Sequence, residues 1–374
     1  MINIKNRQQA FAATITLSLG LTCGTSTFVH AGDSDRNSER SVAFVQTNLD
    51  SNIAGRAATT DPNLTNGWGI AFAPGSPFWI NANHSGVATL YRGDGSIVPL
   101  VVTVPGPAGS QTGFVAAPTG MIWNPTSGFL VPGSKFPSLF VFDTEDGTIS
   151  AWNFNVNFTN AVIAVDNSQS GAVYKGLAFG TNAGGNNLYA TNFSAGTVEV
   201  YDSQFQPVVT GGKFNDTHIP AGFAPFGIQN IDGDLWVTYA KQNADKKDDV
   251  GGPGNGFVDV FDTDGHLLKR FAAHGVLNSP WGLARAPYGF GQFSGDILVG
   301  NFKDGHIDAF DAQGNFRGAL RRPNSQPVVI DGLWALSFGG GAKSTPESLF
   351  FTAGPDDETN GLFGVINAVP RLDD

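Results

Sequence analysis

Carboxylates and side-chain amides gather in a few short, glycine-rich stretches of this sequence. The longest is NADKKDDVGGPGN, residues 243–255, which holds Asp245, Asp248 and Asp249 and follows Lys241. GPDDETN, residues 354–360, adds Asp356, Asp357 and Glu358. Smaller groups carry Asn83 with His84, Glu145 with Asp146, Asn192, and Asn301 with Asp304. Hard cations such as Ca²⁺ take roughly six to eight oxygens, and carboxylates and amides drawn from several loops can meet that need. Ca²⁺ is therefore the one cofactor these residue types suggest, with Asp245, Asp248, Asp249, Asp356, Asp357 and Glu358 as candidate ligands. A local explanation competes with it. Asx and Gly residues build turns through their own side-chain to backbone bonds, and the lysines and aspartates of DKKDDV can neutralise one another.

Other chemistries find less support. His84, His218, His266, His274 and His306 are scattered and show no HxxxH or HExxH spacing, so no zinc pattern is present. A G-x-S-x-G elbow is absent, and Cys23 is the sole cysteine. GGPGNG, from Gly251 to Gly256, is not followed by a helical pattern that could cradle a phosphate. With 21 basic and 32 acidic residues, the formal net charge of −11 disfavours nucleic acid as a partner.

The elements that must position these residues follow from self-similarity. Six segments carry Gly beside an apolar residue: GWGIAF at Gly69, PTGMIW at Gly120, YKGLAF at Gly176, PFGIQN at Gly227, PWGLAR at Gly282 and IDGLWALSF at Gly332. They recur at intervals of 50 to 56 residues, the period of propeller blades rather than of most helical solenoids. A second glycine in each unit leads an alternating strand, as in GVATLY, GTISAW, GTVEVY, GFVDVF, GHIDAF and GLFGVI. A short apolar run precedes each of these, and a fourth strand follows.

Four strands per unit and six units predict an all-β, six-bladed β-propeller over residues 41–370. Unit six runs out after its third strand. The spare segment SVAFVQTNL, Ser41 to Leu49, is expected to pair with Gly361–Val369 and close the ring. Trp68, Tyr174, Phe226 and Trp281, ahead of the first strands, are expected to wedge between blades. Asp143, Asp202, Asp262 and Asp311 are expected to cap turns after the third strands.

The first 31 residues have Lys5 and Arg7 ahead of an apolar run from Ala10 to Leu21, then Val29-His30-Ala31. That is the layout of a cleaved secretory leader, and the run is shorter than the about 20 residues a membrane span needs. Export to the periplasm or the extracellular space, cleavage near Ala31, a linker over 32–40 and no membrane anchor in the mature chain are expected. Cys23 would leave with the leader, so no disulfide supports the fold.

With TDPNLTNGWGIAF, TEDGTISAWN, VYKGLAFG, IDGDLWVTYAKQNADKKDDVGGPGNGFVDVFDTDG, LNSPWGLARAP and GDILVGNFKDGHIDAFD in hand, the chain resembles an uncharacterised family of exported bacterial six-bladed propellers related to NHL-repeat propellers. The resemblance implies that fold and no particular reaction. Many of the family carry an apolar C-terminal anchor segment; here the chain reads PRLDD at residues 370–374, so a freely soluble form is expected, with 371–374 as a tail. In such a ring the loops between second and third strands share the channel mouth. The ligand-face candidates are therefore Asn83, His84, Glu145, Asp146, Asn192, Lys241, Asn301 and Asp304. The expected function is binding of a small molecule, glycan or protein at that mouth. The alternative is a Ca²⁺-dependent hydrolase or lactonase, whose ion would polarise a carbonyl.

Overall fold

Alternating apolar residues and glycine turns shape each repeat into a four-stranded antiparallel sheet whose two faces both pack against neighbouring sheets. The computed structural model describes residues 42–371. The expected leader, its cleavage site at Ala31, the linker and residues 372–374 lie outside the described residues. Blade one comprises Gly67–Ala71, Phe78–Ala82, Val87–Tyr91 and Ile97–Thr103; blade two comprises Pro118–Trp123, Phe140–Thr144, Thr148–Trp152 and Val162–Asp166. Blade three holds Tyr174–Asn182, Gly185–Asn192, Thr197–Asp202 and Pro207–Val208. Blade four holds Phe223–Ile231, Asp234–Lys241, Phe257–Phe261 and Leu267–Ala273, and blade five Pro280–Arg285, Ile297–Asn301, Ile307–Phe310 and Phe316–Ala319. Blade six takes Leu333–Phe338, Leu349–Ala353 and Leu362–Pro370, and its outer strand comes from Val42–Ser51.

That last pairing closes the ring as the sequence predicts. Ala43 lies opposite Val369 and Asp50 opposite Phe363, antiparallel. Phe44, fully buried, then packs between blades five and six against Phe290 and Phe293. Burying such a side chain is worth about 2 kcal/mol, so closure is held by core packing as well as by the ladder.

Every innermost strand is interrupted by a register shift at the same repeat position, between Gly67 and Ile70 in blade one and between Leu333 and Leu336 in blade six. A bulge of this kind re-aims a side chain. Trp68, Thr119, Lys175, Phe226, Trp281 and Trp334 occupy that position, and the rings among them meet near the axis. Trp68, Phe226 and Trp281 therefore fill the channel rather than wedge between blades, and blade three contributes Lys175 where Tyr174 was expected.

The repeat glycines follow the bulge for a steric reason. A methyl group at Gly69 would collide with the Thr119 carbonyl of the next blade, one at Gly227 with the Trp281 carbonyl, and one at Gly282 with the Trp334 carbonyl. Blade six departs from the expected phase. Ala335 takes the equivalent position, and Gly332 is instead a turn residue with φ of 65°.

A second ring, on the second strands, stitches blades together. Asn81 Nδ2 donates to the carbonyls of Thr119 and Gly120 at 3.0 Å, and Thr191 Oγ1 donates to Phe226 O at 2.8 Å. Asp143 belongs to this ring, in the second strand of blade two, and does not cap a third-strand turn. Asp202, Asp262 and Asp311 do cap such turns, each accepting two backbone N–H bonds.

Candidate functional site

At the mouth, the channel is stoppered by aromatic rings. Trp68 and Trp334 stack at 3.5 Å between centroids, Trp334 stacks on Phe302 at 3.9 Å, and Trp281 stands edge-on to both tryptophans. Trp334 Nε1 donates to Asn66 Oδ1 at 2.9 Å and Trp281 Nε1 to Lys175 O at 3.0 Å, while Trp68 Nε1 is buried without a partner. Beyond the stopper the channel widens to about 260 Å³ towards the opposite face, lined by Ile70, Met121, Leu177 and Gln229.

Lys175 is a buried cation beside these rings, 2% exposed, and Lys303 Nζ lies 4.3 Å from the Phe302 ring. Lys175 Nζ lies 5.2 Å from the Trp68 ring and 5.8 Å from that of Phe193. It donates to Glu145 Oε1 and stands 3.6 Å from Asp248 Oδ1. Burial works to lower the Lys175 pKa, but the charge and hydrogen bond of Glu145, with Asp248 and Glu358, outweigh it and raise the pKa overall. Lys175 is therefore a fixed ammonium rather than a neutral nucleophile. Glu145 Oε2 also accepts Asn83 Nδ2 at 3.1 Å.

Asn66 ties blade six to blade one. Its Nδ2 donates to Glu358 Oε2 at 2.8 Å, and its φ is 48°, in the left-handed region. Glu358 shares that conformation with Asp356 and Asp357, at 64°, 59° and 53°. Three consecutive non-glycine residues of this kind cost about 1 kcal/mol or more each. Burial, then the charge of Glu145, push the Glu358 pKa up, with Lys175 and the Asn66 bond opposing. Beside this turn opens a cavity of about 140 Å³ lined by Phe302, Lys303, Asp331, Asp357 and Glu358.

The long insert folds inward over the mouth as an extension of its hairpin. Asn243 N donates to Asp248 O at 2.8 Å, Val250 N donates to Lys241 O at 2.7 Å, and Gln242 bridges Asp249. Among the described residues no ion pair joins the insert's own lysines and aspartates. Asp248 turns instead to Lys175 of blade three, and Asp249 to Lys303 of blade five at 3.4 Å. Asp245, Lys241 and His84 are exposed to solvent.

The sequence candidates thus divide. Glu145, Asn83, Asp248, Asp249, Asp357 and Glu358 converge on the mouth. Asp146 accepts Ala117 N at 2.8 Å, and burial is the main cause that raises its pKa. Asn301 donates to Asp308 and Val276, and Asp304 accepts Asn278 and His306 N, so both serve their own turns. Asn192 reaches away from the mouth to Glu199 at 2.7 Å. Asp356 faces Arg56 at 2.6 Å and Asn360, and these bonds lower its pKa. Among the described residues no three His, Cys, Asp or Glu side chains are grouped so as to hold a metal ion. Asn66, Lys175, Lys303 and Trp334 escaped the sequence reading. A lysine in a repeat position otherwise mostly aromatic was the available signal.

Among the described residues no helix is long and apolar enough to cross a membrane. No family model matches the sequence. A catalytically inactive virginiamycin B lyase from Staphylococcus aureus, crystallised with quinupristin, superposes with a TM-score of 0.52 at 10% identity, covering 88% of this chain and 100% of that one. A protein of unknown function from Bacteroides thetaiotaomicron superposes with a TM-score of 0.53 at 10% identity, covering 87% and 77%. These likenesses establish the propeller fold alone. Uncharacterized protein R648 of Acanthamoeba polyphaga mimivirus is 32% identical over 328 residues, covering 85% of this chain and 78% of that protein. Uncharacterized protein L690 of the same virus is 31% identical over 335 residues, covering 87% and 86%. Where the sequence resemblance pointed to bacterial proteins, these relatives are viral; the chain belongs to the propeller family of the mimivirus proteins R648 and L690.

Proposed function

We propose that this protein is an exported ligand-binding propeller whose mouth takes a small molecule bearing a cationic group, such as an amine or amino sugar. Export rests on the leader-like residues 1–31. The carrying observation is the strained acidic turn. Asp356, Asp357 and Glu358 are all left-handed, and two of them line a cavity with Asp331 and Lys303. Strain of that kind persists where surrounding structure over-determines it, commonly at binding sites. Three carboxylates against one lysine leave the cavity acidic, which favours a cation over an anion.

Thermal unfolding of the mature protein with glucosamine, spermidine, acetate or Ca²⁺, at matched ionic strength, tests this reading. A ligand of the folded state must raise Tm. An amine is expected to raise Tm in the parent and not in Glu358→Gln; acetate and Ca²⁺ are expected to leave Tm unchanged. No response to either amine overturns the cationic-ligand reading, and a Ca²⁺ response abolished by Glu358→Gln would favour a metal site instead.

A further inference from the structure

The outer edge of blade three lacks half a strand. In blades one, two and four the outermost strand pairs the third strand from its first residue, with Val87 opposite Thr103, Thr148 opposite Asp166 and Phe257 opposite Ala273. In blade three it is two residues long, Pro207–Val208, and pairs only Val200 and Tyr201. The edge of Thr197, Val198 and Glu199 has no strand beside it. A cavity of about 540 Å³ lies there instead, walled by Val165, Val198, Val200, Phe205 and Val208.

Comparison with blade four identifies what is missing. Glu199 lies opposite Ala190, and Asp259, at the same repeat position, lies opposite Val237. In blade four Arg270 of the outer strand stands across from Asp259 and forms an ion pair with it. The register of blade three, Val200 with Val208, would place Val209 across from Glu199. Val209 is left unpaired at the rim of the cavity and is 91% exposed. Glu199 is held ready by neutral donors, Tyr174 and Tyr201 hydroxyls at 2.6 Å and Asn192 Nδ2 at 2.7 Å. Lys213 also lines the cavity, yet among the described residues no cation forms an ion pair with Glu199. Burial is the main cause that raises the pKa values of both tyrosines, so they remain donors.

We propose that this slot binds an extended peptide segment of another protein, which completes blade three as its outer strand and sets an Arg or Lys side chain on Glu199. Main-chain pairing along Thr197–Glu199 supplies affinity, and the acid and the apolar walls select alternate side chains, as strand addition requires. Three unpaired residues span about 10 Å of edge at the rise of a strand, so the recognised core is short. The site lies on the outer rim and is independent of the reading of the mouth.

The test uses the chain's own outer strand as probe. A capped, fluorescent peptide of sequence LLKRFAA, that of Leu267–Ala273, is titrated into the intact protein and followed by polarisation. Saturable binding is expected, weakened at least tenfold by replacing the peptide's arginine with glutamine and by Glu199→Gln. Val209→Arg, at an exposed site that leaves folding undisturbed, supplies the cation in cis and is expected to weaken binding by a similar factor. A peptide with proline for the first of its two alanines, the residue that pairs with Val258 in blade four, cannot complete the ladder and should not bind. Absence of saturable binding at millimolar peptide, equal binding of the proline peptide, or affinity unchanged in both Glu199→Gln and Val209→Arg would overturn the proposal.

Discussion

The channel mouth and the outer edge of blade three both carry acidic side chains, but they are built in opposite ways. At the mouth only the small cavity beside Glu358 stays open. Aromatic rings stopper the channel, and the carboxylates of Glu145, Asp248 and Asp249 already face Lys175 and Lys303. At blade three a strand edge, a cavity and an acid without an ion pair are left open. The difference teaches where stability and adaptability reside in a ring of sheets. Groups near the axis are shared by several blades, so their removal is costly; groups on a rim belong to one blade, which can leave a gap without loosening its neighbours.

The largest expected effect lies at the mouth. Lys175→Ala should cost about 3–5 kcal/mol in chemical denaturation, because it takes the cation from the half-buried Glu145 and leaves a cavity against the Trp68 and Phe193 rings. Lys175→Met combined with Glu145→Gln, which removes both charges and keeps most of the volume, should recover much of that loss. If Lys175→Ala costs no more than a surface substitution, the mouth is not the locked array its burial indicates.

An intermediate effect comes from the ring just beneath. Burial pushes Asp143 up to about 7, against the bonds from Thr119 and Gly120. Thr119 Oγ1 lies 2.8 Å from Asp143 Oδ1 and 2.9 Å from Tyr174 O, and a hydroxyl has one proton for two acceptors. A protonated Asp143 donating to Thr119 frees that proton for Tyr174 O. Because the folded pKa is raised, the folded state binds the proton more tightly, and this contribution to stability is lost as pH rises from about 4 through 7. Asp50, Asp259 and Asp308, raised to about 6, 7 and 6, act in the same sense. Asp143→Asn, which places the amide found at Asn81 of blade one, should flatten part of that slope. It should stabilise the protein at pH 8 by on the order of 1 kcal/mol. An unchanged pH profile of Tm would show that Asp143 is ionised in the folded state.

The smallest effect belongs to the rim. Val209→Arg should change stability by no more than about 0.5 kcal/mol, as for other exposed side chains. A loss comparable with that of Lys175→Ala would erase the contrast between the two regions.

The blade repeat was readable because its glycines answer to close contact with the next blade's backbone, a requirement that recurs in five blades. Blade six was read out of phase at Gly332 because IDGLW satisfies the same local pattern, while Ala335 holds the position. Asp143 was misassigned for a similar reason. FVFD ends as VYD and VFD do, and only the sheet shows that it belongs to a second strand. Of the mouth, the loop carboxylates were readable from their glycine-rich surroundings; Asn66 and Lys175 were not, since each sits at the start of a strand.

By itself the sequence determined the six-bladed ring, its closure by Val42–Ser51 and the acidic character of its loops. These depend on periodicity and on residues near in sequence. Tertiary structure alone decided that the insert's aspartates pair with lysines of other blades, that aromatic rings stopper the channel, and that Glu199 faces an empty strand position. Each of these turns on groups tens to hundreds of residues apart meeting at one point, and a linear pattern carries no record of such distances.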